Sequence, residues 1–400
     1  MRLGQDVHLV VLSCTEPEGI PMRIIEIGMH WFPEGGGGAD RYFYGLVSEL
    51  VRHDPSARAF VFGEGNSGDA ASQVHFLGSR KQSLPQRIRR LRKDVKAEIS
   101  SGSGRVLIAS HFALYGFPLL DVLWRCPHVV HFHGPWADEA AAEGESSRAV
   151  LFKQGIERAT YATARRFIVL SKAFRDVLVR RYRVREDRID IVPGGVQADV
   201  FDTGLSRSEA RERLGWPKDR IILVTVRRLA RRMGLENFID AIDELRKKEP
   251  RILAVMAGTG PLADELKALV ERKNLSEHIK LAGFVPDADL PLAYRAADLS
   301  VVPSIALEGF GLIVLESLAA GTPVIVTPVG GLPEVVSGLS KDLILEGSSP
   351  NQIADGLAMR LGALDKLPSD MACQSYAKDN FDWPVIARKV IGVYEKCLQK

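Results

Sequence analysis

Short apolar runs alternate with stretches of helical periodicity along nearly the whole chain, and no other feature constrains the fold as much. Such runs stand at 24–29, 106–109, 127–132, 167–170 and 190–192, and again at 221–226, 252–257, 279–281, 299–302 and 324–327. The segments between them carry apolar residues at helical spacing. A parallel strand pair needs a long crossover, usually a helix, so this alternation predicts parallel α/β sheets. At 400 residues the chain exceeds one ordinary domain, and two are expected. Pro193-Gly194-Gly195-Val196 breaks the first series. The expected organisation is an extension at 1–21, a first domain at 22–197, a linker at 198–217 and a second domain at 218–380. A last helical segment at 381–400 is expected to pack back toward the first domain. The extension looks dispensable, because 22–27 reads as a first strand with its own methionine.

The chemistry concentrates in 303–316, Pro-Ser-Ile-Ala-Leu-Glu-Gly-Phe-Gly-Leu-Ile-Val-Leu-Glu. An apolar strand precedes it and a small-residue helix from 312 to 320 follows. A helix N-terminus offers free N–H groups and a positive dipole end, which favour a phosphate. Glu308 on the loop and Glu316 within the helix would repel one. Carboxylates accept from hydroxyls, so these two fit sugar rings.

Other features surround this stretch. Four arginines, Arg227, Arg228, Arg231 and Arg232, follow the strand at 221–226; guanidinium groups pair bidentately with phosphate. Glycine turns stand at 33–41, 258–261 and 330–334. The first lacks the last glycine of the dinucleotide fingerprint G-x-G-x-x-G, so a nicotinamide enzyme is not indicated. It reads as a ligand loop, the bland alternative being a flexible surface turn. His131 and His133 end the strand at 127–132, where parallel sheets carry their ligand crevice. A third metal ligand is not evident beside them, and no metal is assigned. Asp287-Ala288-Asp289 precedes a helix and reads as a cap rather than a metal motif.

Composition excludes several classes. The apolar fraction is 46% and the net charge +3, which does not suggest a nucleic-acid binder. Four scattered cysteines form no C-x-x-C and read as reduced thiols of a cytosolic protein. No apolar run approaches a membrane span. Residues 79–99 form a basic amphipathic helix. Its two readings are a solvated face and contact with an anionic membrane surface or phosphorylated acceptor.

Together these motifs resemble family 4 of the retaining glycosyltransferases, from about Met22 to the C-terminus. The most specific match is Pro-Ser…Glu-Gly-Phe-Gly…Glu, the family's E-x7-E motif, at Glu308 and Glu316. Gly37-Gly38, His133, 193–196, 258–261, Ala297-Asp298 and Gly330-Gly331…Glu334 support it. The resemblance implies the GT-B fold, two Rossmann-like domains whose parallel sheets face a central cleft. It implies transfer of a sugar from a nucleotide-diphosphate sugar to an acceptor hydroxyl, with retained configuration and no cofactor. The acceptor would be a sugar, glycan or lipid-linked molecule of surface polysaccharide or glycolipid synthesis. The rivals are another GT-B enzyme, such as an epimerase or phosphorylase, and a non-catalytic nucleotide-sugar-binding subunit.

By the same resemblance Glu316 would bind the ribose, and Glu308 the transferred sugar near its C3 or C4 hydroxyl. Gly309, Phe310 and the amides of Gly311, Leu312 and Ile313 would hold the donor, those amides at the diphosphate. Gly330 and Gly331 would line the sugar and Val285 the base. His133 would sit near the sugar C6 hydroxyl, and Gly37 and Gly38 would complete a phosphate or acceptor loop. The family pattern also has Gly-Arg-Leu and then Lys-Gly after the first strand of the second domain. Here Arg228 matches the arginine, Arg227 replaces the glycine and Met233 takes the lysine's place. Methionine cannot neutralise a leaving diphosphate, so Arg231 or Arg232 is expected to do so.

Overall fold

The computed structural model describes residues 22–65, 72–79 and 81–399. The extension 1–21 lies outside them. Two all-parallel sheets account for the strands. In the first, β1 (Met22–His30), β2 (Arg58–Phe62), β3 (Val74–Phe76), β4 (Arg105–Ser110), β5 (His128–Phe132), β6 (Arg166–Val169) and β7 (Ile189–Ile191) run in the order β3-β2-β1-β4-β5-β6-β7. In the second, β8 (Ile221–Val226), β9 (Ile252–Ala257), β10 (Ile279–Gly283), β11 (Leu299–Val302) and β12 (Val324–Val326) run in the order β10-β9-β8-β11-β12. Every strand expected from the apolar runs is present. β2 and β3 were not foreseen; β2 begins at Arg58 and β3 is only 3 residues long, too short to show a period.

The described chain divides into two compact units. The first holds the residues through His131, Ile156–Phe167 and Ala387–Lys400; the second holds Phe132–Gly155 and Ile168–Ile386. The stretch 198–217, expected as a linker, carries the helices Ala198–Phe201 and Arg207–Leu214. A Ser206/Glu209 capping box starts the second helix, and buried Arg211 donates to the Ala296 carbonyl and the Asp298 carboxylate. That piece is therefore built into the second unit.

The final helix, Trp383–Leu398, places Tyr394 in the first unit. There its hydroxyl donates to Glu26 at 2.6 Å and lies 2.7 Å from Nε2 of His131. The basic stretch forms the helix Leu84–Ser100, which buries only Leu91 and Val95. Arg92 and Lys96 are held by Asp121, Arg90 by Asp94, and Arg87 donates to the Tyr115 hydroxyl. Much of its charge is thus committed within the protein. Among the described residues no helix is long and apolar enough to cross a membrane. Asp289 stands at the N-cap of Leu290–Ala296, but its side chain makes no cap hydrogen bond, so the capping expectation fails there.

Candidate active site

Parallel strands share one C-terminal edge. At that edge of the second sheet lie the arginine loop after β8, the Gly258 turn after β9, the Glu308 loop after β11 and the Gly330 turn after β12. Hydrogen bonds lock these loops to one another. Ile305 N–H donates to the Arg232 carbonyl at 3.0 Å, and Arg232 donates back to the Leu307 carbonyl at 3.1 Å. Leu307 has φ +51°, a left-handed conformation that costs a non-glycine residue roughly 1–2 kcal/mol. The arginine holds that carbonyl where the strained turn puts it. Gly330 packs beneath the same loop. Its φ is +59°, and a Cβ there would stand 1.8 Å from the Glu308 carbonyl oxygen. Gly258 does the same for the neighbouring loop, where a Cβ would stand 1.8 Å from the Arg227 carbonyl oxygen.

Glu308 is buried. It accepts from the Arg227 guanidinium and from the Ser304 hydroxyl at 2.9 Å. Burial raises its pKa, but Arg227 above all, with Ser304 and Arg232, outweighs that and holds the carboxyl below its ordinary value. It is an ionised carboxylate. Glu316, one turn into the helix Leu312–Ala319, is also buried and accepts from the Tyr294 hydroxyl at 3.0 Å. Gly311, at the N-cap, has φ +81° and turns the chain so that the helix starts beside Glu308.

The second unit adds a third carboxylate. Glu139, on the helix Trp136–Ala142, lies 3.6 Å from Arg232. Burial raises its pKa, Arg232 opposes this, and the charge of Glu308 raises it further. Glu143 stands 3.9 Å from the same guanidinium. Gly309 lies under the Phe174 ring, leaving no room for a Cβ. Glu334 accepts from the Lys172 and Ala173 N–H groups at 2.8 and 3.0 Å.

Comparison with known proteins fits this arrangement. Residues 206–378 match the family described as Glycosyl transferases group 1, and residues 36–200 match Glycosyltransferase Family 4. The D-inositol 3-phosphate glycosyltransferase of Corynebacterium kroppenstedtii is 30% identical over 96% of this chain and 92% of its own. The chain belongs to glycosyltransferase family 4. The enzyme of the same name from Corynebacterium jeikeium is 30% identical, covering 94% of this chain and 97% of its own. Among solved structures, Anabaena HepE in complex with UDP and glucose has a TM-score of 0.76 at 20% identity, covering 94% of this chain and 100% of its own. Sucrose-phosphate synthase from Thermosynechococcus elongatus gives 0.75 at 21%, covering 94% and 99%. These structural likenesses place the fold as GT-B.

In this glycosyltransferase only some of the residues singled out from sequence come together. Glu308, Arg232, Gly309, Phe310, Gly311, Gly330 and Gly331 come together at the β11 loop, with Leu312, Ile313 and Glu316 on the helix it starts. Arg228 is exposed, and its charge acts on Glu139. His133 is half-buried just past β5, and Val285 half-buried past β10. Arg231 turns outward to Glu265 at 3.0 Å and Glu236 at 3.5 Å. Gly37 and Gly38 are exposed at the start of the helix Gly38–His53, in the first unit. Sequence reasoning did not single out Arg227, Ser304, Tyr294 or Glu139 for a role. Only the arginine run hinted at the first; nothing local marked the others.

Among the described residues, one group could hold a metal ion: Glu26, His111 and His131, whose ligand atoms lie within 4.8 Å of one another. The strand-end His131 thus has buried companions from two other strand regions of the first unit. The His111 and His131 rings stack at 4.1 Å with 14° between planes, so their in-plane lone pairs run side by side rather than converging. His111 Nε2 is 2.8 Å from Glu26, and His131 is bracketed by the Tyr42 and Tyr394 hydroxyls. A hydrogen-bonded cluster accounts for this group better than a metal cage. Burial pushes Glu26 up to about 8, against its bond from Tyr394, and His111 down to about 3. A neutral acid faces a neutral imidazole.

Proposed function

We propose that the protein transfers a sugar from a nucleotide-diphosphate sugar to an acceptor hydroxyl, retaining the anomeric configuration and using no metal. The observation that carries this reading is the β11 loop. It sets one ionised carboxylate, Glu308, before a helix N-terminus and a second, Glu316, one turn inside. The helix amides at Gly311, Leu312 and Ile313 suit a diphosphate, Glu316 the ribose and Glu308 a sugar hydroxyl. Gly330 and Gly331 would line the sugar, Val285 the base, and His133 the C6 hydroxyl. Arg228, with the arginines beside it, supplies positive charge without a metal. Gly37 and Gly38 would serve the diphosphate or the acceptor. In the reaction the bond from the anomeric carbon to the phosphate oxygen breaks, and its electron pair leaves with the nucleoside diphosphate. The acceptor oxygen attacks from the same face, and its proton passes to the departing phosphate.

The inositol-phosphate relatives make a phosphorylated polyol the first acceptor to try; a glycan or lipid-linked acceptor of surface polysaccharide synthesis is the other. A cytoplasmic enzyme touching the membrane through 79–99 suits the latter. The test supplies UDP-, GDP- and ADP-sugars with and without acceptor, in the presence of a chelator. Nucleoside diphosphate should appear only with acceptor, and proton NMR should show the donor's anomeric configuration in the product. Release without acceptor would favour an epimerase or phosphorylase, and binding without release a non-catalytic subunit.

A further inference from the structure

We infer that Arg227, rather than Arg231 or Arg232, is the cation that meets the leaving diphosphate. This rests on the transferase reading and names the residue that takes the charge of the leaving group. Arg227 follows β8 directly, and its backbone is fixed there. Its N–H donates to the Ala257 carbonyl at 2.8 Å, and Gly258 presses on its carbonyl.

The side chain is nine-tenths buried, at 9% exposure for the residue. One terminal nitrogen, Nη2, donates to Glu308 and also touches Met233 Sδ at 2.8 Å. The other, Nη1, is buried and has no hydrogen-bond partner among the described residues. Arginine–carboxylate pairs frequently use both arms of the guanidinium fork. Arg227 engages Glu308 through Nη2 and leaves Nη1 unanswered. A buried charged donor without a partner is costly, and an oxygen of an anionic ligand would satisfy it.

Of the other three arginines, Arg228 is exposed, and the two expected to meet the diphosphate are engaged elsewhere. Arg231 faces Glu236 and Glu265. Arg232 supports the Leu307 carbonyl and faces Glu139 and Glu143. Met233 brings no charge, yet its sulfur ends against the Arg227 guanidinium. Arg227 therefore supplies, from the strand side, positive charge at the tip of the side chain at 233. As the anomeric carbon–oxygen bond breaks, negative charge grows on the phosphate oxygen that departs. A preorganised N–H donor gains most at that moment. The same guanidinium keeps Glu308 ionised against the sugar, so one cation serves both ends of the breaking bond.

The experiment moves the charge. Arg227→Gly, Arg227→Lys, Met233→Lys and the double variant Arg227→Gly/Met233→Lys are compared with wild type for donor kcat and KM. Calorimetry measures binding of UDP, GDP and ADP against the matching monophosphates, and circular dichroism and melting establish that each variant is folded. Arg227→Gly should lower kcat by roughly a hundredfold, with a smaller change in KM, and should weaken diphosphate binding more than monophosphate binding. The double variant should recover at least tenfold of the lost kcat by returning a cation through position 233. A folded Arg227→Gly enzyme with unchanged kcat would overturn the assignment, and so would a folded Arg227→Lys enzyme as impaired as Arg227→Gly together with a double variant that recovers nothing. So would a KM effect alone. A wild-type protein that binds none of these nucleotides and transfers no sugar would overturn the transferase reading itself.

Discussion

Glu26 in the first unit and Glu308 in the second are both buried carboxylates, 1% and 9% exposed, yet their protons go opposite ways. Glu26 meets a tyrosine hydroxyl and an imidazole, and burial holds its proton on to about pH 8. Glu308 meets a guanidinium, and that charge overrides burial. The partner, more than the depth, decides the charge of a buried acid. The difference follows what each unit needs. The neutral cluster joins Tyr394 of the last helix to β1 and the end of β5 without burying net charge. The ionised pair leaves a carboxylate and a spare N–H where a polar ligand can use them.

The comparison breaks most sharply at Glu308. Glu308→Gln would leave Arg227 buried without its counter-charge, and unfolding stability should fall by about 3–5 kcal/mol. Chemical denaturation of wild type and variant measures it, and a loss below about 1 kcal/mol would mean the pair carries little. Tyr394→Phe strips a donor from Glu26 and a partner from His131, and should cost about 1–3 kcal/mol by the same assay.

The proton balance of the first unit gives a pH signature. Between about 4.5 and 8 the unfolded chain ionises this carboxyl while Glu26 keeps its proton, so Glu26 makes stability fall as pH rises through that window. His111 and His128, both held down to about 3 by burial, act oppositely. The unfolded chain binds protons there between about 3 and 6.5, so stability rises with pH over that range. The denaturation midpoint should therefore peak near pH 6.5 and decline toward 8. Glu26→Gln should remove the alkaline decline; if the decline stays, Glu26 is not its source. The smallest effect belongs to Arg231→Ala, whose exposed pairs with Glu236 and Glu265 should be worth less than about 0.5 kcal/mol.

Much of the second unit was legible in the chain because its signals are local. A strand, a glycine turn and a helix start follow one another within 303–316, and the strands expected after Arg220 all form. What was not legible depends on residues far apart in sequence. Glu26, His111, His131 and Tyr394 come from three strand regions and the last helix, and no spacing links them. Arg227 could be seen as one of four arginines, but only the fold shows which of the four turns inward. The segment 198–217, expected as a linker after the break at 193–196, carries two helices, and Arg211 ties it to Asp298, 87 positions away.

Ligand-dependent melting of wild type against Glu316→Ala tests the donor site most directly, using UDP, GDP, ADP and their glucose conjugates. At a hundredfold excess over its dissociation constant, the correct donor should stabilise wild type by about 2.7 kcal/mol and leave Glu316→Ala nearly unmoved. Equal shifts in both proteins, or none with any nucleotide, would contradict a sugar-nucleotide site at the β11 loop.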